Sequence, residues 1–307
     1  MAITGYDTIA DASSKNWPIG AIGTWYGNIW VFGTPRQPFV ARISGLSPDE
    51  YSADVMLQDV SAHYKTVITS LDDLHFLYEG GVASISSLQE YKDLKSSTHT
   101  QDIIDIIHQY FSDGAFAGYD PKNGIYLLKL EGYTYTIAVH MRLKTIKRLG
   151  ERQVAVAPVS LFDFAFSGAE TAYGTGNGFA YVGTDAGKVY KFDESVVDDA
   201  DVAVTYQIDT HTHSTRLGEL NAMRVTPDVY CDGAASFVIT YYKNHSSSAL
   251  TTTSFTLPAD MSDFHDRAKV NFNFRDVKTR IGTIVLTGGE PLVVKNVVLA
   301  CKIIGGF

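Results

Sequence analysis

The sequence predicts a mainly β protein, with propeller-like antiparallel blades and one amphipathic helix followed by a C-terminal β-sandwich. Apolar residues make up 45% of the 307 residues and charged residues 19%, with 18 Tyr and 16 Phe. This is the composition of a folded chain rich in strand-forming side chains. A turn-and-strand unit recurs in the first two thirds, and short strands crowd the last third. We therefore predict a propeller-like platform over residues 1–198 and a β-sandwich over residues 199–307.

The repeat consists of a polar or glycine turn that leads into a short apolar strand. It occurs at residues 27–32, 72–78, 122–128 and 176–182. When Ile29, Leu74, Ile125 and Phe179 are aligned, the spacings are 45, 51 and 54 residues, near the 40–50 residues of a propeller blade. A second apolar strand follows each unit, at residues 39–43, 82–85, 135–139 and 189–192. Each unit thus predicts a hairpin, although an antiparallel protein with irregularly spaced hairpins remains the alternative.

One segment departs from the β pattern. Between residues 100 and 113, the apolar residues fall at helical spacing: Ile103, Ile104, Ile106, Ile107, Tyr110 and Phe111. Thr100 and Asp102 are placed to cap the start of a helix, and Gly114 is placed to end it. We predict one amphipathic helix that packs against a sheet.

An acidic connector at residues 194–201 separates the blades from the last third. Beyond it we predict seven strands, at residues 202–208, 220–225, 236–242, 254–257, 270–274, 283–286 and 292–303. Short strands with turn signals between them are typical of a β-sandwich or jelly roll.

We predict no catalytic, cofactor-binding or metal-binding residues. His211 and His213 could place two imidazoles on one face of a strand, but no third ligand stands at a telling spacing. The glycine-rich run 174–178 lacks the Lys and the helix of a phosphate-binding loop, so we interpret it as a hairpin loop. The Asp-rich runs 198–201 and 260–263 do not follow a calcium-loop pattern. Paired carboxylates of a propeller hydrolase, distant in sequence, stay open as a third alternative.

Charge, the N-terminal residues, hydropathy and cysteine content argue against several classes of protein. The net charge of −9 argues against a protein that clamps phosphates, because such proteins cluster Lys and Arg. The N-terminal residues show no basic region followed by an apolar run, so we expect no secretory signal. No apolar stretch is long enough for a membrane span. Only Cys231 and Cys301 are present, and whether they pair stays open.

Two stretches resemble a known family. Residues 102–111 form the predicted helix, which leads into Ala117-Gly118-Tyr119-Asp120-Pro121-Lys122-Asn123-Gly124-Ile125-Tyr126-Leu127. This run resembles a blade of the propeller-bearing hub or nozzle proteins in the tails of short-tailed bacteriophages. Residues 270–304, with an Arg280-Ile281-Gly282 turn and a Gly288-Gly289-Glu290-Pro291 turn, resemble the closing β-sandwich of the same proteins. The chain is shorter than many members of that family.

The resemblance implies a mechanical, non-enzymatic function in the virion tail, for a protein made in the host cytoplasm. Several copies would form a ring below the portal and adaptor, which would anchor fibres or a needle. Genomic DNA would pass through the lumen without specific binding, and no cofactor is implied. The alternative is a cellular, monomeric propeller that recognises glycans or peptides through Trp25, Tyr26 and Trp30. These aromatic residues could instead belong to the core of the blades.

Overall fold

The computed structural model describes most of the first two thirds of the chain and the strands of the last third. The described residues are 8–10, 16–45, 52–70, 73–86, 98–149, 152–193, 198–199, 202–203, 207–209, 213–214, 219–230, 234–244, 246–257, 264–265, 268–274, 276–287 and 293–304. The chain divides into two compact units, Met1–Asp193 and Glu194–Phe307. The predicted boundary after residue 198 lies close to this division.

Four antiparallel sheets follow one another along the first unit. The first two are meanders, in which each strand pairs with the next strand of the chain. The first contains β1 (Thr8–Ala10), β2 (Asn16–Trp25), β3 (Asn28–Thr34), β4 (Gln37–Ser44) and β5 (Ser52–Leu57). A 3-10 helix at Tyr64–Thr66 precedes the second, which contains β6 (Ile68–Thr69), β7 (Leu74–Tyr78) and β8 (Gly81–Ser84).

The third and fourth sheets complete the described part of this unit. The third sheet has the strand order β14-β11-β10-β9. Its first three strands along the chain are β9 (Phe116–Asp120), β10 (Ile125–Lys129) and β11 (Thr136–His140). A 3-10 helix at Met141–Leu143 and a separate hairpin of β12 (Thr145–Leu149) and β13 (Arg152–Val156) follow, before the chain returns to the sheet as β14 (Val159–Phe162). The fourth sheet contains β15 (Glu170–Gly176), β16 (Phe179–Thr184) and β17 (Val189–Lys191).

All four hairpins predicted from the repeat are present, each in a sheet of its own. They are β3–β4, β7–β8, β10–β11 and β16–β17. The predicted fold class, mainly β with antiparallel blade-like sheets and an amphipathic helix, is confirmed.

Alternating residues of one strand contact different neighbouring sheets. Tyr126 and Leu128 of β10 pack with residues of the second sheet and the helix, whereas Ile125 and Leu127 pack with Ala180 of the fourth sheet. Because successive side chains of a strand point to opposite faces, the third sheet is buried on both sides. A further core cluster joins the first sheet to the second, through residues such as Phe32 and Phe76, whose rings lie 4.8 Å apart. Consecutive sheets therefore stack as blades do.

The predicted helix is present but shorter and is capped differently. It begins as a 3-10 turn at Gln101–Ile103 and continues as α1 (Ile104–Tyr110), so it ends before Gly114. Thr100 does not cap its start through its side chain. Instead, the Thr100 hydroxyl accepts a hydrogen bond of 3.0 Å from the Val82 N–H. The expected cap at Thr100 is thus wrong, because its hydroxyl group attaches the helix to β8.

Among its described residues, the second unit contains two larger antiparallel sheets and one two-stranded pair. The strands outside the first unit are β18 (Asp198–Asp199), β19 (Val202–Ala203), β20 (Gln207–Asp209), β21 (His213–Ser214), β22 (Glu219–Tyr230), β23 (Ala234–Lys243), β24 (Thr251–Leu257), β25 (Phe264–His265), β26 (Ala268–Phe274), β27 (Asp276–Thr287) and β28 (Val293–Ile304). One sheet has the order β20-β27-β23-β24, with β21 also on β27. The other has the order β25-β22-β26, with β28 also on β22. Two antiparallel sheets are the layers that a β-sandwich requires.

Two predictions for this unit are corrected. Arg280, Ile281 and Gly282 do not form a turn, because all three lie within β27 and pair with β20 on one side and β23 on the other. The acidic connector is not only a loop, because β18 pairs with β19 there. The predicted turn at 288–291 and the Asp-rich run at 260–263 lie outside the described residues, as does Cys231. Among the described residues, no helix has the length and apolar character to cross a membrane.

Candidate functional site

A cleft of about 420 Å³ opens at one end of the third sheet, beside the segment that connects it to the fourth. It lies where β9 begins, β10 ends and β15 begins. The residues that line it are Gly114, Phe116, Lys129, Leu130, Glu131, Gly132, Thr134, Phe164, Phe166, Gly168, Ala169 and Glu170. They combine an ion pair, exposed polar groups and aromatic rings in one concave surface.

A buried ion pair forms the floor of this cleft. Lys129 is the last residue of β10 and Glu170 is the first residue of β15, and the two charged groups are 3.2 Å apart. The side chains are only 17% and 8% exposed. The ammonium group also donates to the Thr134 carbonyl oxygen at 2.7 Å. A pair so far removed from water is stable only when further hydrogen bonds satisfy it.

Two hydroxyl groups supply further hydrogen bonds to Glu170. The Thr136 hydroxyl lies 2.8 Å from Oε2, and the Tyr173 hydroxyl donates to the same oxygen. Burial, together with the negative charge of Glu170, raises the pKa of Tyr173, so its phenol stays protonated and continues to donate. Tyr173 can approach the third sheet because residue 118 is glycine: a Cβ there would lie 2.3 Å from the Tyr173 Cβ.

A ladder of aromatic rings forms one wall of the cleft. Phe164 and Phe166 are half-buried, and they alternate with exposed residues. Their rings stack at a centroid distance of 4.6 Å. Phe166 also stacks on Tyr190 at 4.7 Å, and Phe164 meets Phe192 edge-on at 5.1 Å. These contacts fix the rings before any ligand arrives.

The Glu170 carboxylate of the cleft is engaged by protein groups. These groups are an ammonium group and two hydroxyl groups. A nucleophile or general base must instead be able to reach the reacting atom. In the part of the chain that the structure describes, no three His, Cys, Asp or Glu side chains come close enough together to bind a metal ion.

A second polar cluster lies inside the second sheet, around Asp73. This residue is 2% exposed, and its Oδ1 accepts hydrogen bonds from the N–H groups of Leu74 at 2.8 Å and Ser86 at 2.9 Å. The Ser86 hydroxyl donates to Oδ2. The Lys144 ammonium group lies 3.9 Å from Oδ2. The carboxylate thus ties the start of β7 to the end of β8.

The charge state of Asp73 follows from these neighbours. Burial by itself would raise its pKa, but the charge of His75 and the hydrogen bonds from Ser84 and Ser86 lower it below its ordinary value. His75 is equally buried, and its Nε2 lies 3.2 Å from the Ser70 hydroxyl. Because these groups have almost no contact with solvent, we assign the cluster to stability and not to substrate chemistry.

The structure corrects the aromatic platform that the sequence suggested at Trp25, Tyr26 and Trp30. Trp30 is 2% exposed and belongs to the core between the first and second sheets, and Trp25 packs against that core. Only Tyr26 is well exposed, at 83%. The glycine-rich run 174–178 ends β15 and turns into β16, as predicted. His211 lies outside the described residues, and His213 is part of β21.

Sequence reasoning missed the cleft itself. The alternation of Phe162, Phe164 and Phe166 with smaller or polar residues was a visible signal, since period-two patterns place side chains on one face. No signal joined Lys129 to Glu170, because 41 residues separate them and only the packing of two sheets brings them together.

Comparison with known proteins gives only distant structural likenesses. No protein-family model matches the chain. No curated protein matches it. An arabinoxylan arabinofuranohydrolase of glycoside hydrolase family 43 from Bacillus subtilis aligns with 94% of this chain and 55% of its own length, at 7% identity and a TM-score of 0.31.

Two further solved structures are similarly distant. An exo-β-1,3-galactanase from Phanerochaete chrysosporium covers 89% of this chain and 78% of its own, at 11% identity and a TM-score of 0.27. A Cry1Da tryptic core variant from Bacillus thuringiensis covers 93% and 51%, at 10% identity and a TM-score of 0.25. At such TM-scores, the likeness does not extend to any site or activity.

Proposed function

We propose that this protein is a non-enzymatic structural subunit of a short-tailed bacteriophage tail. Copies of the chain form a closed ring, the hub or nozzle, which continues the DNA exit channel below the portal and adaptor. Head-to-tail contacts around a rotation axis close such a ring. The outer surface anchors fibres or a tip, and the protein resides in the virion after synthesis in the host cytoplasm.

The observation that supports this proposal is the structural use of the family-like motif at residues 117–127. Asp120 accepts hydrogen bonds from the Lys122 N–H at 3.1 Å and the Asn123 amide at 2.8 Å, and Gly124 closes the turn with φ of 66°. Tyr126, fully buried, donates to the Thr66 carbonyl at 2.7 Å. The motif therefore shapes a hairpin and joins two neighbouring blades, as a load-carrying scaffold requires.

The polar groups of the candidate cleft agree with a role without catalysis. Its buried carboxylate is held by Lys129, Thr136 and Tyr173. A group fixed in this way contributes rigidity and a binding surface. We assign no catalytic residue to this chain.

Assembly is the direct test. The purified full chain, alone and mixed with the portal and adaptor proteins of the phage that encodes it, would be measured by light scattering and imaged by negative-stain electron microscopy. We expect rings of defined copy number that sit on the adaptor. A chain that stays monomeric in the presence of portal and adaptor would overturn the proposal and favour the cellular binding protein.

The channel function makes a separate prediction about charge. The acidic connector, residues 194–201, would face the lumen and repel DNA, because like charge removes the gain from counterion release. Replacement of Asp198, Asp199 and Asp201 by Asn should slow DNA ejection from otherwise normal virions, measured by dye uptake of the released genome. Replacement of Asp54, an exposed carboxylate of the first sheet, is the control. Unchanged ejection after the triple replacement would contradict the lumen position.

A further inference from the structure

We propose that His63 is a pH-sensitive switch, which holds the loop at residues 111–115 in place while its imidazole is neutral and releases that loop in acid. The loop connects α1 to β9, and its Gly114 lines the candidate cleft. The inference concerns each subunit by itself and does not depend on ring assembly. It follows from the position of the imidazole, from its two nitrogen atoms and from the charges around it.

His63 joins the second sheet to the loop. It directly precedes the 3-10 helix at Tyr64–Thr66, and its N–H donates to the Leu77 carbonyl oxygen of β7 at 3.0 Å. Its own carbonyl oxygen accepts a hydrogen bond from the Thr66 N–H at 2.9 Å. The imidazole Nε2 lies 2.8 Å from the Asp113 carbonyl oxygen of the loop. Because the backbone of His63 is fixed on β7, its side chain attaches the loop to the second sheet.

The two ring nitrogens of His63 determine how this contact responds to pH. A carbonyl oxygen can only accept, so Nε2 carries the hydrogen, and Nδ1 of the neutral ring keeps its lone pair. Nδ1 is buried and has no hydrogen-bond partner among the described residues. Protonation would place a second N–H and a positive charge there, and a buried donor without an acceptor is unfavourable. The imidazolium is therefore stable only when the ring leaves its site, which breaks the bond to Asp113.

The surroundings of the imidazole favour its neutral form. His63 is 8% exposed, and this burial lowers its pKa. Among the described residues, two charged groups act on the ring: Asp113 in the loop raises the pKa, and Lys65 in the 3-10 helix lowers it. Both are exposed, so water and salt screen their charges. Because the pKa in the closed site lies below its ordinary value of 6.5, the closed state is fully stable above that pH and loses stability as pH falls towards the folded-state pKa.

Release of the loop changes the wall of the cleft. Gly114 lines the cleft, and its N–H donates to the Ser112 hydroxyl oxygen at 3.3 Å. The Ser112 hydroxyl donates at 2.8 Å to Glu131, which lines the cleft as well. The loop thus has one attachment to His63 and another to Glu131. When the first is lost in acid, this part of the cleft wall depends on the second alone.

Amide hydrogen exchange of the full chain, followed by NMR at a series of pH values, tests the switch. The reporter is the amide of Ala115, a fully buried residue whose N–H donates to the Ser112 carbonyl oxygen at 3.3 Å. After correction for the intrinsic exchange rate, its opening equilibrium constant should rise from about pH 7 to about pH 5.5. The upper limit is about eightfold, which an ordinary histidine pKa of about 6.5 sets. An opening constant that does not change over this range would overturn the proposal.

Two substitutions assign the effect to His63. His63→Gln keeps an amide donor for the Asp113 carbonyl oxygen but does not titrate, so the pH dependence at Ala115 should disappear. His108→Gln removes an exposed imidazole in the last turn of α1 and is the control that should behave as the wild type does. A folded His63→Gln protein that keeps the wild-type pH dependence would contradict the assignment.

Nitrogen-15 NMR of the wild-type imidazole needs no variant and tests the same site. At neutral pH it should show the hydrogen of the His63 ring on Nε2, because this nitrogen faces the Asp113 carbonyl oxygen. The ring should titrate below the ordinary histidine value. A hydrogen on Nδ1 at neutral pH, or titration at or above the ordinary value, would equally overturn the switch.

Discussion

Tyr26 occupies a backbone conformation that its side chain disfavours. Tyr26 and Gly27 form the two-residue turn between β2 and β3, with φ of 53° and 72°. Asn177 and Gly178 form the same kind of turn between β15 and β16, with φ of 50° and 80°. Turns with two positive φ values prefer Asn-Gly, and a bulky residue there is strained.

We predict that Tyr26→Asn stabilises the protein. Relief of the strain should add about 1 kcal/mol, partly offset by loss of the edge-on contact with Trp25 at 5.1 Å. Urea denaturation measures the change in the free energy of unfolding. The reverse substitution, Asn177→Tyr, should destabilise by a similar amount. A less stable Tyr26→Asn protein would mean that the exposed ring is worth more than the strain costs.

The lowered pKa of Asp73 predicts acid sensitivity. Because its folded-state pKa lies below the unfolded value of about 3.9, Asp73 stabilises the fold above that pH, and the contribution is lost as pH falls through the folded-state pKa. Asp73→Asn should cost about 3 kcal/mol at pH 7, because the hydrogen-bonded charge is buried. The difference between wild type and variant should shrink below about pH 4.

Chemical denaturation at a series of pH values provides this measurement. Asp54→Asn, which removes an exposed carboxylate paired with Arg42, is the matched control and should change stability by less than about 1 kcal/mol. A cost of Asp73→Asn that stays constant down to pH 2 would show that the carboxylate charge does not stabilise the second sheet.

Among the secondary-structure elements, the helical segment that contains α1 is joined to β8 by one hydroxyl group. Ile107 of α1 is fully buried in the core between the second and third sheets. Thr100, also fully buried, receives the hydrogen bond from the Val82 N–H of β8. The helix therefore covers an apolar face, and its entry point is attached to a strand.

We predict that Thr100→Val costs about 1–3 kcal/mol, because the Val82 N–H would be buried without an acceptor. Thr100→Ser keeps the hydroxyl group and should cost clearly less. Hydrogen exchange of the Val82 amide, with urea denaturation, separates this effect from a general loss of packing. Equal costs for the two variants would indicate that the methyl group of Thr100, and not its hydroxyl group, is what matters.

The whole molecule consists of two compact units, which predicts that they fold separately. Cleavage of the coding sequence after Asp193 should yield two fragments, each with a cooperative unfolding transition and a dispersed amide NMR spectrum. A cut after residue 198 would divide β18 and remove Asp198 from its partner Ala203 in β19, so it should be the poorer choice. A disordered second fragment would show that the sandwich depends on the blades.

The sequence by itself predicted four hairpins and the pairing of the two strands in each. Period-two apolar alternation and turn residues placed all four hairpins, because strands that are adjacent in the chain pair through short turns. Helical spacing likewise placed α1, although the predicted cap at Thr100 was wrong, since the Thr100 hydroxyl bonds to the Val82 N–H of β8. The phage-tail function and the ring remain predictions.

Only the tertiary structure decided which face of each sheet packs against its neighbour, and therefore where the candidate cleft lies. Trp30 and Tyr26 belong to the same hairpin, but stacking on the second sheet buries Trp30 and leaves Tyr26 exposed. Lys129 and Glu170 become partners only because the third and fourth sheets pack together. The local sequence pattern shows where apolar and polar residues alternate along a strand. Burial and long-range ion pairs depend instead on contacts between sheets, which no local pattern encodes.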